Sequence, residues 1–103
     1  MTIAALEIDL GDAVVLTETF TVSSVATDPT TVSLEVKSPA GTVTTYTYAG
    51  AQIARTSAGV YTKTLGAAIL NAAGAWHYSW IGTGTAEGVD QGVIGVIGRN
   101  SAA

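Results

Sequence analysis

The sequence predicts an all-β fold, an antiparallel β-sandwich or small barrel with at most one short helical turn. Apolar and polar residues alternate in short runs along most of the 103 residues, which is the pattern of half-buried strands. Turn signals separate these runs at intervals of about 8–12 residues, as in sandwiches of about seven or eight strands. Apolar side chains make up 48% of the chain, and this proportion argues against intrinsic disorder. We therefore expect one folded domain.

The composition excludes several classes of function. A net charge of −4 has the wrong sign for a nucleic-acid groove or an anionic membrane surface, so we predict neither as a partner. The absence of cysteine excludes disulfides, thiolate metal sites and cysteine nucleophiles. Thr and Gly interrupt every apolar run before the roughly 20 residues that a membrane span needs. The first residues, Met1 to Ile3, lack the basic region of a signal peptide, and synthesis inside the cell is expected.

The first third of the chain predicts three strands and one irregularity. Leu6 to Leu10 alternate as a first strand, residues 13–22 form a second, and residues 31–37 form a third. Residues 23–29 between the last two are polar and predict a loop. Glu18 falls on the apolar side of its strand, where an unpaired buried carboxylate is costly. We expect either a bulge that redirects Glu18 or a position near a sheet edge.

The turn Ser38–Gly41 determines which face the next strand buries. Pro at its second position and Gly at its fourth suit a type I turn. A left-handed Gly41 makes it a three-residue hairpin loop with a glycine bulge. The resulting pairs are Leu34 with Tyr46 and Val32 with Tyr48. A four-residue loop shifts the register by one and turns both tyrosines to the other face. We favour the bulged register, because it places the tyrosines with the aliphatic residues.

The second half of the chain predicts strands at residues 60–65, 75–81 and 89–97. The Ala-rich segment 67–73 is too short for an independent helix and predicts a single packed turn. Trp76, Tyr78 and Trp80 lie on one side of their strand. Such large aromatic side chains are expected to fill much of a small core.

Few residues offer catalytic chemistry. His77, the single histidine, has no carboxylate near it in sequence and is interpreted as a solvent-facing strand residue rather than a general base. The acidic groups at residues 7–12 and 87–90 lack the spacing of a calcium loop. Residues 82–88 lack the lysine and the helix of a phosphate-binding loop. We predict that the chain is not an enzyme and uses no cofactor and no metal.

Three segments, residues 31–48, 55–61 and 73–82, resemble the small Ig-like structural proteins of tailed bacteriophages. The resemblance extends over about residues 11–97, although the Ala-rich segment 67–73 departs from it. It implies an Ig-like antiparallel β-sandwich in a capsid decoration (cement) protein. Such a protein binds the outer surface of the shell of major capsid protein and stabilises the shell. It is made in the bacterial cytoplasm, is located on the capsid exterior and has no catalytic residues.

We divide the chain into an N-terminal strand or arm (1–10), the sandwich (11–98) and a C-terminal tail (99–103). The expected partners are the major capsid protein and further copies of the chain, as a trimer or another symmetry-related cluster. Candidate interface residues come from the possible arm, the Ala-rich segment and a strand end: Ile3, Leu6, Ile8, Ile69, Leu70 and Trp80. Two alternatives remain open, a neck or tail component and an Ig-like module that binds a host surface or glycan.

Overall fold

The protein forms two β-sheets and a short separate hairpin. The structure, a computed structural model, describes residues 3–98, and for residues 3–5 it describes the backbone only. The strands of this part of the chain are β1 (Ile3–Asp9), β2 (Val14–Thr19), β3 (Thr21–Val22), β4 (Val25–Ala26), β5 (Thr31–Lys37), β6 (Val43–Thr47), β7 (Ala54–Ser57), β8 (Val60–Leu65), β9 (Gly74–Thr83) and β10 (Gly88–Ile97).

The larger sheet has the strand order β1-β10-β9-β5-β6, the smaller has the order β2-β8-β7, and β3 pairs with β4. This arrangement confirms the predicted all-β sandwich. One pair departs from the antiparallel pattern, because β1 runs parallel to β10. Parallel neighbours need a long crossover connection, and here the rest of the domain lies between the two strands in sequence.

The core lies between the inner faces of the two sheets. Leu34, Leu65 and Ile94 are fully buried, and Trp80 is 1% exposed. Trp76 is also buried, and Tyr78 is half-buried and packs against the core. Every second residue of β9 therefore faces inward, as the alternation predicted.

The hairpin between β5 and β6 has the predicted bulged register. Gly41 is left-handed with φ +96°, and its N–H donates to the Ser38 carbonyl at 2.9 Å. Leu34 pairs with Tyr46, and the Tyr48 N–H donates to the Val32 carbonyl at 3.0 Å. Both tyrosines thus share the face of the aliphatic residues.

The predicted strand 13–22 is interrupted at Phe20, and the predicted loop 23–29 contains β4. The Phe20 N–H donates to the Gly59 carbonyl at 2.8 Å, and the Phe20 carbonyl accepts from Thr27 N–H at 2.9 Å. The chain therefore leaves β8 and forms a small hairpin, which turns at Ser23 and Ser24 with φ of 50° and 67°. This division raises the number of strands above the predicted seven or eight.

The Ala-rich segment forms one turn, as predicted. The Leu70 N–H donates to the Gly66 carbonyl at 2.9 Å, and Leu70 is 1% exposed, so the turn anchors a side chain in the core. Within residues 3–98 no helix has the length and apolarity to cross a membrane.

Asp28 connects three segments at one end of the sandwich. Its carboxylate accepts from Arg55 Nε at 3.0 Å and Arg55 Nη2 at 2.9 Å. It also accepts from the Gly59 N–H at 2.7 Å and the Tyr61 hydroxyl at 3.0 Å. The Arg55 hydrogen bonds, followed by the Gly59 bond, lower the pKa of Asp28 from 3.8 to about 2. The charged carboxylate thus holds the segment before β5 against β7 and β8.

We expect Asp28→Asn to destabilise the fold at neutral pH and to have a smaller effect in acid. A pKa that is lower in the folded state stabilises the fold above about pH 4, and this stabilisation is lost as the pH falls towards 2. Urea unfolding at pH 7 and at pH 2.5 measures the difference between variant and parent. Glu35→Gln, at an exposed carboxylate, is the control. An equal effect of Asp28→Asn at both pH values would contradict this account.

Gly92 gives Tyr78 its place in the core. The two residues are partners on neighbouring strands, and a Cβ on Gly92 would overlap the ring and hydroxyl of Tyr78. The ring therefore lies across the backbone of β10, and only glycine leaves room for it.

Gly92→Ala is expected to lower the free energy of unfolding by about 1–3 kcal/mol, because the tyrosine ring must move within a packed interior. Gly66→Ala is the matched control, since a Cβ at Gly66 meets no atom within 4 Å. Denaturant unfolding of both variants measures the effect. If the two variants are equally stable, the ring does not depend on Gly92.

Candidate binding surface

The outer face of the larger sheet is not covered by another layer of the described chain. We define the outer face as the outward residues of β9 and β10: Ala75, His77, Ser79, Ile81 and Thr83 from β9, and Val89, Gln91, Val93, Gly95 and Ile97 from β10. The strand register places Val89 beside Ile81 and Val93 beside His77. The alternation that buries one side of each strand places these residues together on the other side.

The outer face mixes apolar and neutral polar side chains, and its charged neighbours lie on the flanking strands, with Glu7 beside Gly95 and Glu35 beside Ser79. Val89 and Ile97 are 49% and 47% exposed, and Ile81 and Val93 are half-buried. A shallow depression of about 220 Å³ lies between His77 and the residues of β10 opposite it. Exposed aliphatic side chains framed by polar ones are typical of a site that contacts another protein.

Two of the predicted interface residues lie in the core, and their expected exposure is wrong. Trp80 and Leu70 are each 1% exposed. Trp80 faces inward because it lies on the same side of β9 as Trp76 and beside Leu34 of β5. Leu70 is drawn inward by the turn that starts at Gly66. Neither side chain is available to a partner in this fold.

The other predicted interface residues have mixed positions. Leu6 is 41% exposed, Ile8 and Ile69 are half-buried and pack against the core, and the Ile3 side chain lies outside the described residues. β1 itself pairs with β10 of the same chain. The structure thus does not bring these residues together into one surface.

Sequence reasoning missed the outer face, although β10 carried a signal. Most strands have one apolar side, but the predicted strand 89–97 is rich in Val, Ile and Gly on both sides. A strand that is apolar on both sides has two faces to cover. Within residues 3–98 only the inner face of β10 is covered.

Glu18 and Asp90 form a carboxyl pair on the inner side of the sandwich. β2, which carries Glu18, is an edge strand of the smaller sheet, and its ladder with β8 is regular. The edge explanation for Glu18 is therefore right, and the bulge is wrong. Burial, then the hydrogen bond to Asp90 and the Asp90 charge, raise the pKa of Glu18 from 4.5 to about 7. The pair thus holds a proton near neutral pH.

The arrangement does not bring together a set of catalytic or metal-binding groups. His77 lies on the outer face, and the sheet separates it from the carboxyl pair on the inner side. Among the residues that the structure describes, no group of three or more His, Cys, Asp or Glu side chains could hold a metal ion. The carboxyl pair lies on the inner side and is not part of the outer face. Its expected effect is on the pH dependence of the folding stability.

Comparisons with known proteins agree with the fold. No family model matches the chain, and no curated protein matches it either. Among solved structures, the first Ig domain of mouse SynCAM 2 is similar with a TM-score of 0.52 and 17% identity, over 93% of each chain. The Ig1 domain of ZIG-8, solved as a homodimer, has a TM-score of 0.48 and 12% identity, over 94% of this chain and 81% of that one.

The protein therefore has an Ig-like fold. The smaller sheet corresponds to strands B, E and D of such a sandwich, and β10-β9-β5-β6 to strands G, F, C and C′. At this level of identity the similarity to SynCAM 2 concerns the fold alone.

We expect the protein to become more stable as the pH falls from about 7 towards 4.5. A carboxyl whose pKa is raised in the folded state binds its proton more tightly there, so deprotonation above this range costs stability. Glu18→Gln should flatten this dependence and raise the midpoint of thermal unfolding at pH 8. A gain of about 1 kcal/mol corresponds to about 4–8 °C for a domain of this size.

Circular dichroism melts at pH 5 and pH 8 measure the effect. The control, Glu35→Gln, removes an exposed carboxylate and should keep the parental slope. If Glu18→Gln melts with the same pH dependence as the parent, the carboxyl pair is not the cause.

Proposed function

We propose that this chain is a non-catalytic Ig-like structural module that binds another protein through the outer face. The finer proposal is a capsid decoration protein, which binds the outer surface of the major capsid protein shell and stabilises it. The observation that carries the proposal is the uncovered apolar surface formed by Ile81, Val89, Val93 and Ile97.

The dimensions of the larger sheet set how far such a contact must extend. The two ten-residue strands of the outer face cover about 33 Å by 10 Å, which is less than the roughly 800 Å² that a stable interface takes from each partner. The contact therefore has to continue onto the flanking strands β1 and β5, whose charged residues provide a polar rim. The packed core behind the face makes it rigid, which reduces the entropy cost of binding.

The similarity of residues 31–48, 55–61 and 73–82 to phage Ig-like proteins supports the choice of a virion as the assembly. On this proposal the protein is made in the bacterial cytoplasm and is located on the capsid exterior, in clusters at symmetry sites of the shell. The alternative of a neck or tail component uses the same surface but only a few copies per particle. Trp76 and Trp80, which could have formed a glycan-binding platform, face the core.

Val89→Lys is expected to abolish binding to the shell, because it places an ammonium group beside Ile81 on the outer face while the Val89 side chain is already 49% exposed. Cosedimentation with decoration-free particles of the phage that encodes the protein measures binding. Val15→Lys is the matched control, since Val15 is 59% exposed on the smaller sheet. Loss of binding in both variants, or in neither, would contradict use of the outer face.

Quantitative mass spectrometry of purified particles tests the finer proposal. Decoration predicts a copy number comparable with that of the major capsid protein. A few copies per particle would support the neck or tail alternative, and absence from the particle would exclude both.

A further inference from the structure

One edge strand of the sandwich lacks the features that prevent association with another strand. Exposed edges offer unpaired N–H and C=O groups, and proteins usually blunt them with charges, prolines or bulges. β1 carries Glu7 and Asp9, β2 carries Glu18, and β7 carries Arg55 with a bulge. β6, with the sequence VTTYT, has none of these and is composed of good strand formers.

The ladder with β5 determines which backbone groups of β6 point outward. Ser38 N–H donates to the Thr42 carbonyl, and Tyr48 N–H donates to the Val32 carbonyl. The backbone N–H and C=O groups of the even-numbered residues of β6 therefore point toward β5. Hydrogen-bonding direction alternates along an antiparallel strand. The N–H and C=O groups of Val43, Thr45 and Thr47 therefore point away from the sheet.

Gln52 already occupies one end of this free edge. Its side-chain Oε1 accepts from the Thr47 N–H at 3.1 Å, and its own N–H donates to the Thr47 carbonyl at 3.0 Å. Gln52 thus takes the place of a residue on a neighbouring strand. Within the described part of the chain, Val43 and Thr45 keep their outward backbone groups unpaired.

We propose that β6 pairs with β6 of a second copy of this chain, antiparallel and about a two-fold axis at Thr44. Val43 of each copy then pairs with Thr45 of the other, and each of these residues uses both of its free backbone groups. The larger sheets of the two copies become one continuous sheet. The proposal does not depend on the capsid assignment.

The capped and turning ends of the strand select this register. A register in which Thr45 pairs with Thr45 of the second copy brings Val43 opposite Thr47. The outward backbone groups of Thr47 are already hydrogen-bonded to Gln52. The opposite shift brings Thr45 against Gly41, whose N–H is used within the turn. Only the axis at Thr44 uses all the free groups. Because this contact is two-fold, it gives a dimer, whereas the expectation from the sequence is a trimer or another symmetry-related cluster.

The charges on β5 do not oppose this arrangement. Lys37 lies beside Val43 and Glu35 lies beside Thr45 in the sheet, so Lys37 of one copy and Glu35 of the other are aligned across the proposed pair. Their backbones are three strand spacings apart, about 14 Å, where salt screens most of the attraction. The backbone hydrogen bonds therefore determine the register.

Disulfide trapping tests the register, because the natural chain has no cysteine. Thr44→Cys places the thiols of the two copies opposite each other in a non-hydrogen-bonded pair. Their Cα atoms are then about 4.5 Å apart, a distance that a disulfide spans. Thr45→Cys is the matched control. In the proposed dimer the two Thr45 residues are diagonal neighbours, with Cα atoms about 7–8 Å apart. A disulfide does not span this distance.

The expected result is a covalent dimer of Thr44→Cys under mild oxidation, with little from Thr45→Cys. Light scattering of the unmodified protein should show a dimer whose fraction rises with concentration, and Thr45→Lys should shift it to monomer. Thr31→Lys, on the same sheet but away from the edge, should not. Equal crosslinking of the two cysteine variants, a trimer, or a monomer at all concentrations would overturn the proposal. Circular dichroism melts check that every variant is folded.

Discussion

Burial of the inward-facing aromatic side chains of β9 is the interaction on which the remaining structure depends. Trp76, Tyr78 and Trp80 occupy alternate positions of a strand that pairs with β5 on one side and β10 on the other. Trp80, for example, lies between Leu34 of β5 and Asp90 of β10 in the sheet. Large aromatic rings bury more area per residue than aliphatic side chains, and Trp76 and Trp80 are both buried here. Their orientation determines which residues of β5 and β10 face inward, and therefore which remain on the outer face.

The sequence predicted those parts of the fold that local chemistry decides. Pro39 and Gly41 specify the hairpin turn, and the turn specifies the register of Tyr46 and Tyr48. The interruption at Phe20 was not predictable in this way, because it depends on the carbonyl of Gly59, which is distant in sequence. The position of β1 has the same origin, since its partner β10 lies at the other end of the chain.

The site residues show the same division between local and distant causes. Trp80 shares its parity with Trp76, and this pattern correctly indicated a core position. Its place at the end of the predicted strand led to its inclusion among the candidate interface residues, which the buried position contradicts. Glu18 was recognised as an exception in an apolar row, but its neighbour Asp90 comes from the opposite sheet and no sequence spacing relates the two. The outer face is missed for a related reason: it becomes a surface only when β9 and β10 lie side by side.

The proposed outer-face contact and the proposed β6 edge contact are geometrically compatible. A strand that joins the edge adds to the sheet in its own plane, so it leaves the side-chain faces uncovered. A pair joined at β6 presents two outer faces on the same side of one continuous sheet, provided that the two-fold axis is perpendicular to the sheet. Two such faces held together bind a repetitive surface with higher avidity than either alone. A weak edge contact and a modest apolar face could then reinforce each other when the partner is itself a regular array.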